Sequence, residues 1–127
     1  MKRSEKKLIS DVLKFIRDIL QLINIEVGTD YIILTGGVLI QWGTKTVKTT
    51  TSGGTMGYYG NASVTFTKKF NAAPLVFTNI RRNPSYWNSA SYNNSATSTT
   101  LYAAGNNKNS DSAIDWLAIG FMGGGTT

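Results

Sequence analysis

The sequence predicts a mainly β fold, an antiparallel β-sandwich preceded by one short N-terminal amphipathic helix. Three observations carry this expectation. Apolar residues recur every seven positions from Leu8 to Ile23, then alternate with a period of two after Gly28. Beyond Gly28, β-branched and aromatic residues come in short runs bounded by Gly, Asn and Ser clusters, with no helical stretch between them. The chain has 127 residues, enough for one domain with a small appendage. The expected division is a helix over residues 1–28 and a sandwich over residues 29–127.

In the helix, Ile9, Ile16 and Ile23 fall at one position of the repeat and Val12 and Ile19 at the other. Ser10, Asp11, Lys14, Arg17, Asp18 and Gln21 face water. Leu8, Phe15 and Leu22 on one flank, with Leu13 and Leu20 on the other, widen the apolar stripe beyond a two-stranded seam. β-branched residues at both core positions favour three or more strands, so the preferred reading is a trimeric coiled coil. A helix lying on its own domain satisfies the same pattern. The mixed-sign polar face argues against an interfacial membrane helix. A helix this short is marginal alone in water, so it must pack on its domain or on partner helices. Ser4 is the expected N-cap and Gly28 the expected stop.

Strands are expected at Tyr31 to Leu34, Val38 to Trp42, Ser63 to Phe66, Leu75 to Ile80, Thr99 to Ala103 and Trp116 to Phe121. Short strands without intervening helices argue for an antiparallel sandwich or barrel. In the last strand Leu117, Ile119 and Phe121 share one face, and Trp116, Ala118 and Gly120 the other. Both faces are mostly apolar, as expected if one packs on the opposite sheet and the other on a neighbouring subunit. Pro74 should mark a strand entrance. Residues 81–98 hold Pro84, many Asn and Ser, and three aromatics, which reads as a long loop or a ragged hairpin. The Gly-rich C terminus should fray.

Composition excludes several function classes. With no Cys and no His there are no disulfides, Cys/His zinc sites, thiol nucleophiles or imidazole bases. The net charge of +6 is scattered and joins no nucleic-acid motif, so nucleic acid is not an expected partner. Asp11, Lys14, Arg17 and Asp18 interrupt any apolar region of a signal peptide, and no stretch approaches the ~18 apolar residues of a membrane span. Beyond the helix segment, Asp30, Asp111 and Asp115 are poor material for the carboxylate pair of glycan hydrolysis, and their spacing matches no calcium loop. The chain is therefore not expected to be an enzyme, nor to carry a metal or other cofactor.

The order of short motifs carries a resemblance. A Gly37-Val38-Leu39-Ile40-Gln41-Trp42-Gly43 strand is followed by Val64-Thr65-Phe66, by Phe70-Asn71-Ala72-Ala73-Pro74 leading into Leu75-Val76-Phe77, and by a closing Trp116-Leu117-Ala118-Ile119-Gly120-Phe121. Over about residues 36 to 122 the chain resembles the C-terminal receptor-binding tip domain of bacteriophage and prophage tail fibres. The resemblance implies a homotrimeric tip on a sandwich related to the H-type lectins. Its location would be the virion tail, after synthesis in the host cytoplasm without a signal peptide. Host surface glycans or proteins would be its receptors, and other tail or baseplate proteins further partners. A free-standing lectin, or a trimerisation and capping module without its own receptor site, would share these features.

Carbohydrate recognition needs flat aromatic faces together with planar amides and charged donors. Arg81, Arg82, Asn83, Tyr86, Trp87, Tyr92, Asn93 and Asn94 supply both, and Tyr58, Tyr59 and Asn61 after the Thr49 to Gly57 loop supply a second set. These are the candidate receptor-binding residues, although Trp87 could cap the core and Tyr58 and Tyr59 could pair across strands. Trp42 and Trp116 read as structural, because their strands place them in packing faces. Lys68 and Lys69 read as solvated strand-end charges that discourage edge pairing.

Overall fold

The computed structural model describes residues 3–22, 26–81 and 86–122. Helix α1 runs Arg3–Leu22. The strands are β1 (Glu26–Val27), β2 (Tyr31–Ile33), β3 (Val38–Lys48), β4 (Thr51–Ser52), β5 (Tyr58–Thr65), β6 (Leu75–Ile80), β7 (Tyr86–Tyr92), β8 (Ser98–Gly105) and β9 (Asp111–Phe121), with a 3-10 turn at Gly54–Met56. They form two antiparallel sheets, one ordered β1-β2-β3-β9-β6 and the other β4-β5-β8-β7. The expected antiparallel two-sheet architecture behind one N-terminal helix is thus what the chain adopts.

The pleat sends alternate side chains inward. From the five-stranded sheet Leu39, Val47, Ile114 and Ala118 point into the core, where they meet Val64, Leu101 and Ala103 of the other sheet. Phe66 and Phe70 close the lower end in an edge-to-face pair with centroids 5.1 Å apart, and Phe66 lies 5.8 Å from the Trp116 ring. "Lower" denotes the end where β3 starts and β9 finishes, and "upper" the opposite end.

In the Ile40-Gln41-Trp42-Gly43 motif, Gln41 and Gly43 each have a separate physical reason. Gln41 is buried, yet both ends of its amide are used. Its Nε2 donates to the Lys68 carbonyl and its Oε1 accepts from the Lys68 N–H, each at 2.9 Å, tying β3 to the turn after β5. Gly43 lies opposite Trp116, whose ring would sit 2.9–3.0 Å from any Cβ there. Ile40 and Trp42 point out of the sandwich. The two tryptophans therefore lie on opposite faces: Trp116 packs against the core, whereas Trp42 is 38% exposed on the outer surface. At the upper end buried Thr49 stitches β3 to the β8–β9 turn. Its hydroxyl donates to the Asn107 carbonyl at 2.7 Å and accepts from the Ser110 N–H at 3.2 Å.

Strand β6 spans Leu75 to Ile80 as expected, with buried Pro74 at its entrance. Other boundaries differ. β3 and β9 each run 11 residues, longer than their apolar runs, because their polar upper halves pair with each other from Thr44↔Asp115 to Lys48↔Asp111. The stretch expected as a loop or ragged hairpin contains β7, paired with β8 along its length and bulged between Tyr86 and Asn88. Ladder hydrogen bonds hold this strand where its Ser, Asn and Ala propensities are poor. Ser4 lies inside the first helical turn, and Gly28 sits between β1 and β2, its N–H donating to the Tyr31 carbonyl at 2.9 Å.

Every described side chain of the helix from Ser4 to Ile19 is exposed, including Ile9, Val12, Ile16 and Ile19. Among these described side chains none packs on the chain's own domain, the alternative left open by the periodicity. Ile23 lies outside the described residues. No described helix is long and apolar enough to cross a membrane.

Candidate functional site

The fold divides the candidate binding residues between the two ends of the sandwich. Tyr58, Tyr59, Arg81 and the start of β7 are at the upper end, whereas Tyr92, Asn93 and Asn94 end β7 at the lower one. The seven residues of β7 separate positions that sequence proximity had grouped. Arg82 and Asn83 lie outside the described residues, as do the side chains of Tyr86 and Trp87.

At the lower end, Asn93 takes a positive φ of 52°, and the Asn94 carboxamide oxygen accepts from the Thr99 hydroxyl at 2.5 Å. Both shape the β7–β8 turn, a role for which Asn is suited. Tyr58 pairs with Gly105 on the inward side of its sheet, half-buried. Arg81 lies on the five-stranded sheet. Its Nε donates to both Asp115 carboxylate oxygens at 3.1 and 3.2 Å, and its second guanidinium nitrogen lies 3.0 Å from Asp115 Oδ1. The Thr44 hydroxyl donates to the same oxygen at 2.6 Å. These hydrogen bonds, the Arg81 one foremost, hold the Asp115 carboxyl below the usual carboxylate range, and Asp115 in turn raises the Arg81 guanidinium.

One surface does gather the right chemistry. On the outer face of the four-stranded sheet Tyr59, Tyr102 and Tyr92 form a diagonal. The register places them opposite Ala104, Asn61 and Thr100, so each step crosses one strand and two residues. The Tyr59 and Tyr102 rings stack with centroids 5.8 Å apart and planes 29° from parallel. Asn61, Ser63, Asn88 and Ala90 flank them, all exposed. No strand of this sheet carries a charged residue. Tyr102 was missed in the sequence because it stands inside an ordinary strand pattern. Its signal was the run Thr100, Tyr102, Ala104, whose outward phase matches that of Tyr59 and Asn61.

The outer face of the five-stranded sheet is the chemical opposite. One transverse row reads Val27, Ile32, Ile40, Ile119, Leu75 across all five strands, the next Trp42, Leu117, Phe77, and the lowest Val38 and Phe121. Thr44, Asp115 and Asn79 form the polar row that bounds them above. A groove of about 480 Å³ runs between Val38, Leu75 and Phe121 at the lower edge. Among the described residues no cluster of three or more metal-ligating side chains occurs.

Taken together, this is an antiparallel two-sheet module headed by a helix and bearing two dissimilar outer faces. Residues 33–121 match the family model described as "Putative tail fiber protein gp53-like, C-terminal", and the chain belongs to that family of phage tail fibre C-terminal domains. The family places it in the virion tail. Among solved structures the chain is similar to the tailspike protein gp49 from Pseudomonas phage LKA1, at 24% identity and a TM-score of 0.47, over 67% of this chain and 15% of that one. The chain thus spans a small part of that tailspike's length. No curated protein matches it.

Proposed function

We propose that this chain is the receptor-binding tip of a phage tail fibre and that it adheres to a bacterial surface glycan by binding alone, without catalysis. The observation that carries the reading is the diagonal of Tyr59, Tyr102 and Tyr92 on an uncharged sheet surface. Tyrosine rings offer flat, rigid apolar surface to the C–H faces of sugar rings at little cost in conformational entropy. The surrounding Asn, Ser and Thr side chains both donate and accept, as hydroxyl-rich ligands require. The site moves from the loops to a sheet face, retaining Tyr59, Asn61 and Tyr92 and adding Tyr102 and Asn88.

Assembly supplies the strength. The exposed stripe of Ile9, Val12, Ile16 and Ile19 is covered when three helices associate. Three copies of one weak site then gain an effective concentration worth a factor on the order of 10² to 10⁴. The experiment is a glycan and whole-cell binding screen of the intact protein, repeated with Tyr59→Ala combined with Tyr102→Ala. Losing one stacking platform costs about 1.4 kcal/mol, a tenfold loss per site that trimeric avidity amplifies. Undiminished cell adsorption by the folded double variant would sink the reading.

A further inference from the structure

We infer that the tyrosine face takes the interior of a linear, uncharged polysaccharide along about three successive sugar rings, which rests on the adhesion reading above and narrows it to one class of glycan. The register of the four-stranded sheet contains a repetition. Tyr59 stands between Thr51 and Ala104, Tyr102 between Asn61 and Ala90, and Tyr92 beside Thr100 with the edge of the sheet beyond it. Each ring thus has a hydroxyl or amide side chain on the β4 side, and a methyl group or open solvent on the other. The unit recurs three times, displaced each time by one strand and two residues in the same direction. With strands ~4.8 Å apart and ~3.3 Å per residue, each step is about 8 Å between backbones and the line about 16 Å long. The first two rings lean together to 5.8 Å between centroids, so the platforms stand closer than the backbones beneath them. A chain of repeating sugars offers the same C–H face and the same hydroxyls to every unit. A single sugar would fill one unit and leave two idle.

Neither end of the line is closed. Continued past Tyr59, the same step lands on Gly53, paired with Gly57 through an N–H to carbonyl bond of 2.7 Å and lacking any side chain to block a passing polymer. Past Tyr92, which is 40% exposed, no strand follows among the described residues, because β7 ends its sheet. Recognition of a chain end needs a concave wall that stops the next ring. An open line instead holds any three rings in the middle of a polymer. Charge narrows the class further. The strands of this sheet carry no Lys or Arg, so a carboxylate or phosphate laid on the rings would lose water and gain no counter-charge.

The test titrates the full chain with ladders of one to six rings: N-acetylated chito-oligosaccharides and malto-oligosaccharides, both neutral, and acidic oligogalacturonates. Affinity for a neutral ladder should rise at least about tenfold from one ring to three, as platforms are engaged in turn, and change by less than about threefold from four rings to six. Oligogalacturonates of equal length should bind at least about tenfold more weakly. Reducing the terminal ring of the six-ring members to its open-chain alditol should alter affinity by less than about twofold. Tyr92→Ala, at the exposed edge, should bring the levelling-off down from about three rings to two. Equal affinity for one ring and three, dependence on the terminal ring, preference for the acidic ladder, or no binding of either neutral ladder by the folded wild type overturns the inference. If cell adsorption still requires Tyr59 and Tyr102 alongside such a result, the adhesion reading stands without it; adsorption that does not require them removes both.

Discussion

The two outer faces of this sandwich share one fold and almost nothing else. The five-stranded sheet turns Ile, Leu, Val, Phe and Trp outward; the four-stranded sheet turns out Tyr, Asn, Ser, Thr and Ala. Both back onto the same core of Leu39, Ile114, Leu101 and Phe70. The difference teaches that inward positions are set by packing, while outward positions record what the surface meets. An aliphatic face suits protein, and a hydroxyl and amide face with aromatic platforms suits a solvated ligand.

The comparison can be broken first from the shared side. Phe70→Ala empties the fully buried closure beneath both sheets and should cost about 3–5 kcal/mol by chemical denaturation, removing both faces together. Next come the two tryptophans. Trp116→Ala should cost about 3 kcal/mol of domain stability, since that ring covers Gly43 and packs on Phe66. Trp42→Ala should leave unfolding within about 1 kcal/mol of wild type. If both tryptophans shift denaturation equally, the faces are not divided as described.

A smaller effect is expected from Tyr102→Ala, about 0.5–1.5 kcal/mol from the lost stack with Tyr59, with glycan affinity falling and oligomer mass unchanged. The smallest belongs to the polar boundary. Asp115 has its folded-state carboxyl pKa depressed, so its contribution is present above the unfolded value and is lost as pH falls through the folded one, below about pH 4. Asp115→Asn should therefore lower stability slightly at neutral pH and leave the acid end unchanged, which flattens the acid limb of a stability-versus-pH curve; the effect is small because the pair is exposed and screened.

How much of this was legible in the sequence depended on which force placed each residue. Where apolar alternation and a proline agreed, as at Pro74 and Leu75 to Ile80, the strand was read residue for residue. Where pairing alone decided, as in Thr44 to Lys48 and in β7, composition was silent and the elements were shortened or missed. The helix stripe was visible because its seven-residue period does not depend on anything distant. The candidate site was legible in kind, as tyrosine with amides, but not in place. Residues 81–94 look adjacent in the chain, yet a strand rises 3.2–3.4 Å per residue and carries Tyr92 away from Arg81 to the far end. The diagonal needed the register of β5, β8 and β7, which no local pattern encodes.

The uncharged four-stranded sheet has a consequence for the conditions under which such a surface holds on. Attraction between ions fades as the Debye length shrinks from about 30 Å at 0.01 M salt to 3 Å at 1 M. Stacked rings and amide contacts carry no such dependence. A fibre that grips through Tyr59, Tyr102 and Tyr92 would keep its hold from pond water to brine, with the protein's net charge of +6 affecting the speed of approach rather than the strength of attachment.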